Sequence, residues 1–168
     1  PASRLFWNEL YVDPRALGVA APHEDGRELV ECMRSGHVDY AAAAVRHRRL
    51  LQPLADRALG ENGDADALAF ANRPDVADYA RFRAVGETLR AGWNTWPTRL
   101  RNGRIGAGDF EPADARYHAF VQWAAERQLA AVGSDPDAAG LYLDMPLGVH
   151  PDSYDTWRYR DIFATGAS

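Results

Sequence analysis

The chain contains no lysine: its 19 basic residues are all arginine, set against 24 acidic residues for a net charge of −5. Without lysine a P-loop cannot hold a phosphate in the usual way. The acidic balance also argues against a nucleic-acid partner, which needs a positive footprint to displace counterions. A single cysteine, Cys32, excludes an internal disulfide and cannot nucleate a zinc site, so a reduced structural thiol is expected. No apolar run approaches the roughly 18 residues of a membrane span. The opening Pro1-Ala2-Ser3-Arg4 lacks the basic and then apolar blocks of a signal peptide. These absences lead to the expectation of a cytoplasmic protein with no membrane partner. No GxGxxG, GxSxG or HExxH pattern occurs, and no cofactor or metal is expected.

At 168 residues the chain suits one domain, and its 46% apolar content is enough to build a core. The opening block Leu5 to Pro14 is short and aromatic, and reads as an extended segment closed by a turn. Asp13-Pro14 and Pro22-His23 each offer a short helical start. From Val38 a helix is expected, with Tyr40, Ala44, His47, Leu51 and Leu54 on its buried face and a kink or restart at Pro53. The basic run Arg46 to Arg49 spreads around that helix and reads as solvated surface, with phosphate binding as the alternative.

Further helices are expected over Ala65 to Asn72, from Pro74 to near Gly92, and from Pro112 to Val132. In the last of these, Tyr117, Phe120, Val121 and Ala124 line one face. Trp93 to Gly108, rich in glycine and proline, reads as an irregular connection. Trp93, Trp96 and Trp123, like His47 and His118, fit buried packing better than ligand contact.

After the turn at Asp135-Pro136-Asp137, the run Leu141-Tyr142-Leu143 has the look of a buried parallel strand, expected to pack on the Tyr117 to Ala124 face. Asp144 follows it directly. A carboxylate at the end of an apolar strand carries a desolvation cost unless it is bonded, so it is either a site residue or a structural hydrogen-bonder. Asp144, His150, Asp152 and Asp155 could in principle share a divalent cation, but their spacing matches no ligand loop and Pro146 and Pro151 dictate the backbone there. The alternatives are a carbohydrate subsite, where aromatic faces pack on C–H groups while carboxylates accept from hydroxyls, or a merely polar loop.

Residues 140–157, GLYLDMPLGVHPDSYDTW, resemble the segment around the first α-amylase-type conserved region of amylomaltases, the 4-α-glucanotransferases. FWNELYVDP resembles an early barrel segment of that family, VDYAAAAVRHRRLL its inserted helical subdomain, and YHAFVQWAAERQLA the helix before the strand. The resemblance implies a mostly α chain with a few β-strands, part of a (β/α)8 barrel of TIM type. By the same likeness residues 1–13 form an extended barrel segment, 14–108 an inserted helical subdomain, and 109–168 a helix, a barrel strand and the loop after it.

The implied activity is transfer of α-1,4-glucan segments between malto-oligosaccharides with retention of configuration. Retention requires two carboxyl groups about 5 Å apart. In the family these lie on later strands, so the chain resembles an N-terminal fragment that is expected to be inactive alone and, with barrel edges uncovered, to self-associate. No catalytic residue is therefore assigned. Asp144, Asp152 and Trp157 are the substrate-binding residues that the resemblance suggests. Gly148 and Val149 stand where the wider α-amylase group has Asn and His, and His150 takes neither role. The competing expectation is a free-standing helical binding module without catalysis.

Overall fold

A computed structural model describes residues 3–19, 38–134, 140–141 and 148–163. Among the described residues, two short 3-10 turns, Glu9–Tyr11 and Pro14–Leu17, precede six α-helices: α1 Tyr40–Ala58, α2 Ala65–Ala71, α3 Pro74–Leu89, α4 Thr98–Arg101, α5 Pro112–Gly133 and α6 Tyr154–Arg158. Their starts follow from the sequence. Asp39 and Asp64 accept the Ala42 and Ala67 backbone N–H groups at 3.0 and 2.9 Å, and Pro74 and Pro112 open α3 and α5, where a missing N–H costs nothing. α1 runs unbroken through Pro53, an exposed position, without the restart its sequence suggested.

The described residues form no strand, sheet or barrel, which corrects the expectation of a mostly α chain with barrel strands. The reason is visible in the first segment, where the backbone polar groups that a neighbouring strand would satisfy are taken by glutamine side chains. The Trp7 N–H donates to Gln122 Oε1 at 2.8 Å, and Gln122 Nε2 returns a bond to the Trp7 carbonyl at 2.9 Å. Gln128 clasps Asp13 in the same two-point way, at 2.8 and 3.0 Å. Each amide replaces one rung of a ladder, so the segment lies against α5 without becoming a strand.

The expected strand over Leu141 to Leu143 falls mostly outside the described residues. Leu141 is exposed, and a Cβ added at Gly133, at the end of α5, would stand 3.8 Å from its side chain, while Tyr142, Leu143 and Asp144 lie outside the described residues. Among the described residues, the Tyr117, Phe120, Val121 and Ala124 face packs on Leu51 and Ala55 of α1 and on Val12. A small group of Val76, Ala80 and Ala119 joins α3 to α5. A separate aromatic core gathers Tyr79, Phe82, Trp93, Trp96, Tyr154 and Trp157. Phe6 enters it by stacking on Tyr79, with ring centroids 4.0 Å apart, which brings the start of the chain onto α3.

Candidate functional site

Three tryptophans fix the segment that leads into α6. Trp93 donates its indole N–H to the Pro151 carbonyl and to Thr156 Oγ1 at 2.9 and 3.1 Å, while Trp157 donates to the Leu100 carbonyl at 2.9 Å. Trp96 donates to the Ala91 carbonyl at 2.9 Å, holding the turn between α3 and α4. Burying an indole is favourable only when its N–H finds a partner, and all three do. The result is a rigid corner between the 91–101 connection and residues 151–157.

Asp152 sits on the outside of this corner. Its Oδ1 accepts from Asn94 Nδ2 at 2.8 Å and its backbone N–H donates to His150 Nδ1 at 3.1 Å. Gly92 lies beneath the carboxylate: a Cβ added there would come within 2.5 Å of Asp152 Oδ1, so only glycine permits this approach. The groove beside it, about 180 Å³, is lined by Asp152, Trp93, Trp96, Phe82, Arg83 and Glu87 among others. Of the residues singled out from sequence, Asp152 thus reaches an open groove. Trp157 is 1% exposed and touches Phe82 and Trp96 from the core side, with ring centroids 5.1 and 6.4 Å away. Asp144 lies outside the described residues.

A second cavity, about 160 Å³, is lined by Ser3, Phe6, Trp7, Asn8, Glu9, Tyr79 and Arg83. Arg83 borders both spaces. Behind it lies a charged cluster that the sequence reading missed. His118 is fully buried, with Nε2 2.8 Å from Glu87 Oε1. Arg48 bonds both Glu87 and Asp114 and lies over the Tyr117 ring at 4.5 Å. Within the basic run read as solvated surface, Arg48 therefore turns inward. Arg83 donates to the Tyr79 hydroxyl at 2.9 Å and stands 3.7 Å from Glu9 Oε2.

Burial, and then the Arg83 charge, pushes His118 down to about 4 against the pull of Glu87, so the imidazole is neutral near pH 7. Burial alone would raise Glu87, yet its bonds and charge contacts with His118 and Arg48 outweigh that and hold it well below the usual carboxylate range. Asp114 goes the other way. Burial and the neighbouring Glu87 and Glu111 charges outweigh its bond to Arg48 and raise it. The spacing Tyr79, Arg83, Glu87 on α3, with Asp114 and His118 on α5, was the available signal: polar residues four apart bordering an apolar face. Among the described residues no group of three or more His, Cys, Asp or Glu side chains could hold a metal ion.

A sequence profile of the 4-alpha-glucanotransferase family matches residues 1–168, the whole chain. The chain belongs to this family. Among characterised proteins it is similar to 4-alpha-glucanotransferases of Mycobacterium tuberculosis and Mycobacterium bovis, each 31% identical over 197 aligned residues that cover 100% of this chain and 26% of theirs. A 4-alpha-glucanotransferase of Thermus thermophilus is 34% identical over 95 residues, covering 52% of this chain and 19% of its own. This family member thus spans about a quarter of the length of the mycobacterial relatives it matches. No solved structure matches it significantly.

Proposed function

We propose that this chain is part of a 4-α-glucanotransferase, a cytoplasmic enzyme that passes α-1,4-linked glucan segments between malto-oligosaccharides by a retaining double displacement. The observation that carries this reading is the family match across every residue of the chain, which favours an enzyme over a free-standing helical module. Double displacement needs a nucleophilic carboxylate and an acid/base carboxyl about 5 Å apart. No catalytic pair is assigned within these residues, and the chain contributes groups that orient sugar. Asp152, beside the tryptophan-walled groove, and Asp144 supply acceptors for hydroxyls. Trp157 supports that wall from the core side and keeps Trp96 and Phe82 in place.

The test is direct. The 168-residue chain incubated with maltotriose should release no glucose above a buffer control, while a longer protein that contains it should disproportionate maltotriose. In that longer protein Asp152→Asn should lower the transfer rate with Tm unchanged, since the amide keeps the shape but loses charge. Glucose release by the chain alone would overturn the assignment of roles. An inactive longer protein would overturn the activity.

A further inference from the structure

His118 is the most enclosed titratable group in the described structure, and the bonds around it leave one of its nitrogens unused. Its Nε2 meets a carboxylate oxygen of Glu87 at 2.8 Å; a carboxylate only accepts, so Nε2 carries the hydrogen. In the neutral ring Nδ1 is then a bare lone pair. It points at Glu9 Oε2 3.9 Å away, and both atoms are buried with no hydrogen-bond partner. Two acceptors face each other across a gap with no exposed surface on either side. Neither atom has a hydrogen-bond partner, although Arg83 stands 3.7 Å from the same Glu9 oxygen, and a hydrogen added between them would bond both.

Burial and the Arg83 and Arg48 charges oppose a proton on His118, while the carboxylates of the cluster favour one. Glu9 faces the ring from the first turn, Arg48 acts on it from α1, Arg83 and Glu87 from α3, and Tyr117 packs on it from its own helix; one step further out, Asp114 bonds Arg48, Tyr79 bonds Arg83 and His47 acts on Glu9. Ionised, Glu9, Glu87 and Asp114 carry three negative charges, and Arg48 and Arg83 carry two positive ones. One proton on the neutral His118 closes that balance inside a buried cluster. We propose that the Glu9–His118 gap is a proton-binding latch: one proton taken up at Nδ1 turns the lone pair into a donor and draws the Phe6 to Glu9 wall of the 160 Å³ cavity onto α5.

The step is a simple addition. A solvent proton forms the Nδ1–H bond, the Nε2–H bond to Glu87 persists, and no other bond is broken. Closing from 3.9 Å to the roughly 2.8 Å of a charge-assisted bond needs about 1 Å of travel. Glu9 can supply it because it lies on a short 3-10 turn, outside the long helices and between the anchors at Trp7 and Asp13.

The test is nitrogen-detected histidine NMR on the isotope-labelled protein, titrated from pH 7 downward. At pH 7 His118 should show the Nε2–H form. Nδ1 should then protonate in one step, and the amides of Trp7, Asn8, Glu9 and Leu10 should shift with that same midpoint. In Glu9→Gln, a near-isosteric change, the midpoint should fall by about one pH unit, because an opposite charge at this range favours the charged ring by about that much or more. The wild-type co-titration stands as evidence even if that variant folds poorly. Four results would overturn the latch: an Nδ1–H form at pH 7, first-segment amides that follow His47 instead, a His118 midpoint unmoved in Glu9→Gln, or no protonation of Nδ1 before the chain unfolds.

Discussion

Gln122→Ala tests whether side-chain amides do the work that a neighbouring strand would do in a sheet. Gln122 is 2% exposed and its amide makes both bonds to the Trp7 backbone, at 2.8 and 2.9 Å. Truncation leaves one N–H and one carbonyl without partners in a half-buried place. Each buried unsatisfied group costs about 1–3 kcal/mol. Partial access of water to Trp7 puts the pair in the lower part of that range, about 2–4 kcal/mol in all. For a chain of this size that corresponds to a fall in Tm of about 5–15 °C. The control is Gln52→Ala on α1, whose bonds to Asp56 and the Ala113 carbonyl and from Arg48 are long, at 3.3, 3.2 and 3.2 Å, and partly solvated, so it should cost only about 1 kcal/mol. Urea unfolding followed by circular dichroism gives both values, provided the slope m is unchanged. Hydrogen exchange at the Trp7 amide should accelerate in Gln122→Ala alone. Equal stability of the two variants, with Trp7 protection retained, would refute the claim that the clasp holds this segment.

Acid should weaken the fold earlier than carboxylate titration requires. His118 sits at about 4 in the folded chain against 6.5 unfolded, so unfolding takes up a proton in that window, and stability should fall by on the order of 3 kcal/mol as pH drops from 6.5 to 4. Two low carboxyls act in a different window, that of Glu87 and that of Asp109, which Arg99 and then the Gly106 N–H hold down by hydrogen bonds: their stabilisation is complete above their unfolded values of 4.5 and 3.8 and is lost only toward 2. A urea midpoint that stays flat between pH 7 and 4.5 would refute the assignment to His118. Pro53→Ala should raise stability by about 1–2 kcal/mol, because it restores an N–H inside an exposed stretch of α1, partly offset by the greater freedom of the unfolded chain. Denaturant unfolding showing no gain would mean that the helix has already adjusted to the ring.

The helices were legible because their signals are local. Pro74 and Pro112 mark starts, and Tyr79, Phe82 and Val85 recur at helical spacing and are buried in α3. What the sequence hid was the pairing between distant parts. Gln122 with Trp7 and Gln128 with Asp13 are each 115 residues apart, and a glutamine on a helix carries no mark of the backbone it will bond. Arg48 was hidden differently. Three arginines and a histidine in a row point in four directions around a helix, and only packing decides which one turns inward to Glu87 and Asp114. Asp152 was singled out from sequence, and the fold adds that it borders a groove. Glycine at 92, which makes room for its carboxylate, is distant in the chain and gave no hint of doing so.

The distribution of acceptor capacity separates the candidate sugar contact from the larger charged cluster beside it. Glu87 spends Oε1 on His118 and Oε2 on Arg48, and Asp114 accepts from Arg48 with Oδ1. Both are about one-quarter to one-third exposed, and their strongest partners are already fixed by the fold. Asp152 is different: it is exposed, and its bond from Asn94 uses Oδ1, leaving acceptor capacity on Oδ2. A hydroxyl-rich ligand gains most where acceptors are ionised, accessible and not already paired, because any bond it takes from a satisfied carboxylate must first be broken inside the protein. By that criterion the proposed sugar contact belongs to the carboxylate at the corner in preference to the denser cluster behind Arg83, which borders the wall that Arg83 shares between the two cavities.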